Sequence, residues 1–250
     1  MNYVRSLAKS SLYALRRLLP RKHGALILAY HSIDNHDDQY TVLPEMFEWQ
    51  MEEIARQGLR IIPLRELERM LDAGRVEDKT VLLTFDDGRR DNYTNLFPII
   101  QKKRIPITIF SITEDIGTVR ASSVRPLSML TEAEMHEMHA SGLVDFEPHT
   151  ETHPKLTAVS LEDVHREVGS SKLSLEKMFS KTCPYFAYPY GRRSPEIERI
   201  LNDSGIKLAV ATHVGFVTEK SERLALPRND VRHNVTRAQF KSILNRGSLR

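Results

Sequence analysis

Cysteine is almost absent from this chain of 250 residues. Cys183 stands alone, so no disulfide can form within the chain and no CxxC metal site exists. Long apolar runs are missing as well, and none approaches the ~20 residues needed to cross a bilayer. The N-terminal stretch SLAKSSLYALRRLLP is broken by Lys9, Arg16 and Arg17. It lacks the continuous apolar core and the small-residue cleavage site of a signal peptide, so the expected location is the cytoplasm, up to the inner face of the membrane. Aromatic residues make up only 7% of the chain, and no basic stripe with interleaved aromatics is found. That argues against nucleic acid as a partner. A large charge of either sign is also lacking: the formal net charge is +3.

Much of the basic excess is local. Arg5, Lys9, Arg16, Arg17, Arg21 and Lys22 precede the first clear strand with no acidic residue among them. Within residues 3–19, Leu7, Leu12, Leu15, Leu18 and Leu19 fall at mostly helical spacing. This pattern suits a helix lying on an anionic membrane, and equally one packed on the domain or a frayed tail. The chain divides into a basic amphipathic segment, 1–23, and a single domain, 24–250.

Across that domain short apolar runs alternate with amphipathic stretches, which is the signature of an α/β fold. Strands are expected at ALILAY (25–30), LRIIPL, TVLLTF (80–85), ITIFSI (107–112), LVDFEP, YFAYPYG, KLAVAT (207–212) and LALPR. Helices are expected at 44–58, opened by Pro44 and stopped by Gly58, and at 64–74. A third, over DNYTNLFPIIQKKR, meets Pro98 and should kink there. Residues 113–130 read as a long irregular loop, followed by a helix with a Thr131/Glu134 capping box. Helices at 160–179, at 194–205 (Ser194 cap, Pro195 at N1) and at 236–244 complete the set. No repeat or linker interrupts the order, and the pattern predicts a barrel.

Reactive residues in parallel α/β folds gather at the carboxyl ends of strands. Four predicted ends carry unusual polar residues: Tyr30-His31, Asp86-Asp87-Gly88, PHTETH (148–153) and YPYG (188–191). Asp86 and Asp87 should face opposite ways on a strand unless the chain turns, and Gly88 allows a turn. His149 and His153 are spaced H-x3-H, so a single helical turn or a tight loop would set both imidazoles on one side. Two imidazoles and one carboxylate leave a coordination position open for water, as catalytic zinc requires. One aspartate can then be a ligand while its neighbour acts as a base.

Taken together, these motifs closely resemble the polysaccharide deacetylases of carbohydrate esterase family four, the NodB-homology fold, over residues 25 to 240. TFDDG (84–88) and HTETH (149–153) match its base-and-metal motifs, and YPYG occupies the place of its groove-wall motif. AYHSI (29–33), DNY after the aspartates, IPITIF and LPRNDV (226–231) point to the branch that deacetylates poly-N-acetylglucosamine in biofilm systems. In that branch an N-terminal histidine replaces the family's C-terminal one. The resemblance implies a distorted (β/α) barrel of about seven strands. It also implies a divalent metal, zinc before cobalt, nickel or iron, on Asp87, His149 and His153, with Asp86 as catalytic base.

The implied substrate is an N-acetylated amino sugar in a polysaccharide, an oligosaccharide or a lipid-linked glycan. Two alternatives are removal of another acyl group such as formyl, and a carbohydrate-binding relative without activity. The implied mechanism stabilises the oxyanion with the metal and the backbone N–H near Tyr190. Three departures from the family pattern stand out. The groove-wall arginine is missing, and Arg228 is the candidate to hold Asp86 in its place. Arg89 stands where an aromatic residue is frequent, and Glu147-Pro148 precedes the first histidine. The departing amine needs a proton, for which histidine is suited. His31 is preferred as the general acid, at the end of a core strand where the resembling branch has a histidine, with His213 as the competing candidate.

Overall fold

Five consecutive buried residues, LILAY, form strand β1 (Leu26–Tyr30) of a parallel sheet. Strands covered on both faces carry unbroken apolar runs of this kind. The computed structural model describes residues 22–122 and 125–248. The amphipathic segment 3–19 lies outside the described residues.

After β1 come the short β2 (Ser32–Ile33) and β3 (Thr41–Val42), helix α1 (Pro44–Arg56), β4 (Arg60–Ile61) and α2 (Leu64–Asp72). Next are β5 (Thr80–Asp87), α3 (Phe97–Lys103), β6 (Ile107–Ser111) and an antiparallel pair, β7 (Val119–Arg120) and β8 (Leu127–Ser128). Helix α4 (Glu132–Ala140), β9 (Val144–Pro148), α5 (Leu161–Phe179) and β10 (Tyr185–Ala187) follow. The chain closes with α6 (Pro195–Asp203), β11 (Leu208–Val210), β12 (Asn229–Asp230) and α7 (Arg237–Arg246).

The main sheet runs β12-β1-β5-β6-β9, all parallel, with β4 beside the start of β5. Strands β10 and β11 form a second parallel pair. The segment 226–230 joins the two sheets: Leu226 bridges Val210, whereas Asn229 and Asp230 pair with Leu28 and Ala29. Between β9 and β10 the link is a side chain, with Tyr185 N–H donating to the Glu147 carboxylate at 3.0 Å. The result is a distorted barrel of seven main strands, with β4 on its flank.

Alternation along the strands divides the core. Val81, Leu83 and Phe85 of β5 pack outward with Phe47, Met51 and Ile54 of α1, spaced as one helical stripe. Ile27 of β1, Leu82 of β5 and Phe110 of β6 face inward with Val210 and Leu226. Asp86 continues the inward series of β5, and that places it inside the barrel mouth.

The structure departs from the sequence reading in a few places. LALPR is not a strand: Pro227 has no N–H to donate, so only Leu226 bridges, and β12 starts two residues beyond the proline. The DNYTNLFPIIQKKR segment divides into a π-helical turn, Asn92–Leu96, and α3, which places Pro98 in its first turn. The loop 113–130 carries β7 and β8. The capping box at Thr131 and the Ser194 cap with Pro195 at N1 are both present.

Candidate metal and catalytic centre

A cavity of about 420 Å³ opens at the carboxyl end of the barrel. His31, Asp86, Asp87, His149, His153, Tyr190 and Arg228 all line it. His213 does not. It is exposed and lines a neighbouring cavity with Val214 and Ile243.

The two aspartates reach the cavity by different means. Asp86 arrives through strand alternation. Asp87 would face outward by the same rule, but its φ is 76°, in the left-handed region, and this turns its side chain into the cavity. The turn therefore begins one residue before Gly88. Such a conformation costs a non-glycine residue about 1–3 kcal/mol. Thr150, His153 and Tyr190 around the same cavity also have positive φ, at 69°, 65° and 57°. Among the described residues, the other non-glycine residues with positive φ, Lys79, Arg104 and Ser180, lie away from the cavity.

Asp86 is only 4% exposed and would be untenable as a lone buried carboxylate. Arg228, 1% exposed, meets it with a two-pronged contact: Nη1 to Oδ1 at 2.6 Å and Nη2 to Oδ2 at 2.8 Å. Two further guanidinium donors go to the Ala211 carbonyl at 3.1 Å and the Thr84 hydroxyl at 3.4 Å. Burial pushes the Asp86 carboxyl up, but Arg228 and the nearby His149 outweigh it and hold it below its ordinary value.

Asp87 has different partners. Its Oδ1 lies 3.9 Å from His149 Nε2 and 3.8 Å from His153 Nε2. Its Oδ2 takes both Nε and Nη2 of Arg89 at 3.3 Å. Burial alone would raise the Asp87 carboxyl, yet His31, Arg89, His153 and His149 together draw it well below the usual carboxylate range.

Both histidines are held toward the neutral form. His149 donates Nδ1–H to the Ala187 carbonyl at the end of β10, at 2.7 Å, which leaves the Nε2 lone pair facing Asp87. Burial lowers its pKa. His153 is pushed down to about 3, first by burial and then by His149 beside it. The 149–153 segment is a tight loop clamped from α5, where Glu167 accepts Thr152 N–H at 2.8 Å and the Thr152 hydroxyl at 2.7 Å.

One donor atom each from Asp87, His149 and His153 lie within 4.8 Å of one another. These separations are too long for hydrogen bonds among them and short enough to share a cation. Two nitrogens and one oxygen, with the His149 tautomer fixed by the Ala187 carbonyl, fit a divalent metal and leave coordination positions open.

The cavity walls complete the site. The His31 ring rests on Tyr40, centroid to centroid 4.7 Å. The Tyr190 ring sits 4.8 Å from that of His153. Gly191 beside it has no substitute, because an added Cβ would lie 2.0 Å from Thr212 Oγ1 at a φ of +66°.

Sequence reading did not assign partners to Arg89, Glu167 or Tyr40. Arg89 was visible only as a departure from a family pattern. Glu167 and Tyr40 carry no local signal.

The polysaccharide deacetylase family model matches residues 73–209, a span that includes both aspartates, both histidines and Tyr190 but neither His31 nor Arg228. YxkH of Bacillus subtilis, which carries a polysaccharide deacetylase name, is 30% identical over 215 residues, covering 86% of this chain and 74% of its own. The poly-β-1,6-N-acetyl-D-glucosamine N-deacetylase of Staphylococcus epidermidis is 25% identical over 236 residues, 85% of this chain and 81% of its own. Among solved structures, the Streptococcus pyogenes deacetylase PplD in complex with acetate aligns with a TM-score of 0.77 at 27% identity. The alignment covers 92% of this chain and all (100%) of that one.

Proposed function

The chain belongs to the polysaccharide deacetylase family, and we propose that it hydrolyses the N-acetyl group of N-acetylglucosamine units in a glycan, polymeric or lipid-linked. The observation that carries this reading is the division of labour between two adjacent carboxylates. Asp86 and Asp87 face one cavity, but Asp86 is paired with Arg228 while Asp87 is gathered with His149 and His153.

Asp87, His149 and His153 would hold the metal, with zinc the best match to two imidazoles and a carboxylate and with cobalt, nickel and iron also suited. When bound, a divalent cation supplies Lewis acidity, which lowers the pKa of water toward about 7 and polarises the acyl oxygen.

The chain's own groups do the rest. Asp86 accepts the proton of the attacking water, and Arg228 fixes the plane of its carboxylate. The Tyr190 N–H donates to the acyl oxygen as negative charge develops there, a contact of a kind worth ~2.7–4 kcal/mol. His31 gives a proton to the sugar nitrogen as the amide C–N bond breaks. The products are acetate and the free amine.

Support for the acyl group and the sugar comes from the Staphylococcus epidermidis relative, named for poly-β-1,6-N-acetyl-D-glucosamine, and from the acetate of PplD. The basic leucine-spaced segment 3–19 supports contact with an anionic membrane surface, where a lipid-linked glycan would lie.

The test is product release from N-acetylglucosamine oligomers and from lipid-linked N-acetyl sugars, with and without chelator. Chelator-sensitive release of acetate is expected. Formate release, or metal-independent turnover, would overturn the reading.

A further inference from the structure

His31 stands between β1 and β2, and its place in the cavity is set through its backbone by two consecutive residues that the reaction does not use. Asn92 Nδ2 donates to the His31 carbonyl at 3.0 Å. Asp91 Oδ1 accepts the Ile33 N–H at 2.9 Å, and Asp91 Oδ2 accepts the Ser32 hydroxyl at 2.8 Å. Asn92 Nδ2 also reaches Asp91 Oδ1 at 2.9 Å, which ties the clamp to itself. One turn on, Asn95 Nδ2 holds the Ile33 carbonyl at 2.8 Å.

These donors and acceptors lie at the start of the π-helical turn Asn92–Leu96, with Asp91 as its cap residue, four residues beyond the carboxylate-bearing end of β5. Such turns are rare and frequently mark functional sites. The side chains of Ser32, Ile33 and Asn92 are fully buried, and those of Asp91 and Asn95 are partly buried. A carboxylate largely removed from water is expensive to keep ionised. Asp91 accordingly has its pKa raised to about 6, chiefly by burial, although its hydrogen bonds from Ile33 and Ser32 and the charge of Arg89 oppose the shift. Its bonds all go to the two residues after His31 and to Asn92, itself bonded to the His31 carbonyl.

We propose that Asp91 and Asn92 are positioning residues for His31. They tie the strand that carries the proton donor to the strand end that carries the base and the metal ligand, and so fix the distance between the two halves of the reaction. This rests on the reading of His31 as general acid. A misplacement of 1 Å at a reacting group can cost about 10²-fold in rate.

The test is a double-mutant cycle on acetate release from an N-acetylglucosamine oligomer, with metal content measured for every variant. Asn92→Ala is expected to lower kcat by about 10- to 100-fold with KM and metal content unchanged. In a His31→Gln background the same change should cost less than about twofold, because nothing is left to position. Asp91→Asn keeps an acceptor for Ile33 and a partner for Ser32, so it should restore most of the kcat that Asp91→Ala loses.

Equal fold losses in both backgrounds, or a kcat for Asn92→Ala within about twofold of the parent, would overturn the proposal. Should Asn92→Ala not fold, Ser32→Ala removes one bond of the same clamp and carries the same cycle. Full activity in His31→Gln would sink the reading of His31 itself. An inactive His31→Gln beside an unaffected Asn92→Ala would sink the clamp alone.

Discussion

The Arg228 guanidinium closes on both carboxylate oxygens of Asp86, at 2.6 and 2.8 Å, across a sequence separation of 142 residues. Both side chains are buried, so each compensates a charge that the other would leave exposed to a low dielectric. Removing one partner of such a pair typically costs about 3–5 kcal/mol. Arg228→Met is therefore expected to lower unfolding stability by about that amount and to abolish turnover. Adding Asp86→Asn should recover part of the stability and none of the activity. Urea unfolding of the two single variants and the double checks this, and strictly additive losses would contradict it.

The adjacent aspartates should separate metal from turnover. Asp87→Asn is expected to lose metal and activity together, because Asp87 shares its Oδ1 with the two imidazoles. Asp86→Asn should keep its metal and lose kcat, since its oxygens are committed to Arg228. Elemental analysis of the purified variants alongside kinetics decides the matter. Metal retained by Asp87→Asn and lost by Asp86→Asn would exchange the assignments.

His31 and His213 can be told apart by position. General acid catalysis contributes about 10²–10⁴-fold, and His31→Ala is expected to lose that factor in kcat with metal still bound. His213 lies outside the catalytic cavity, so His213→Ala should remain within about threefold of the parent. Steady-state rates of the two variants are the measurement, and a collapse in His213→Ala alone would transfer the role.

Asp91 makes a prediction about pH and stability. Its carboxyl is raised to about 6 in the folded chain, against 3.8 for the ordinary residue. Between those values the folded state binds more protons than the unfolded one, so this group's contribution falls as pH rises through the window. Above pH 6 the full cost of burying the charge is present, about 2–3 kcal/mol at 1.36 kcal/mol per unit. Asp91→Asn removes the ionisation, so its stability relative to the parent should climb between about pH 4 and pH 6 and then level off. Denaturant midpoints across that range test the slope, and a constant offset between the two proteins would refute it.

Much of this protein was already legible in its amino-acid order, where the physics is local. LILAY and TVLLTF became buried parallel strands because unbroken apolar runs can be covered on both faces. Thr131 and Ser194 capped helices because their side chains reach the backbone N–H groups three residues on. The pairing of DDG with H-x3-H marked the three side chains that gather in the cavity for the same reason: both motifs are short, and each acts within one turn of chain.

The tertiary structure decided what depends on distant segments meeting. Asp87 leaves the strand pattern through its own left-handed backbone, a conformation its neighbours must sustain. Glu167 clamps the histidine loop from a distant helix, and Arg89 takes the second oxygen of Asp87. Pro227, unable to donate a hydrogen bond, moves the last strand forward. Arg228, named from the family resemblance as the candidate partner of Asp86, lies where the segment 226–230 bridges the two sheets, and that closure brings the two together. A guanidinium carries no local preference for one carboxylate over another; burial beside Asp86, with no water to share the charge, makes the choice.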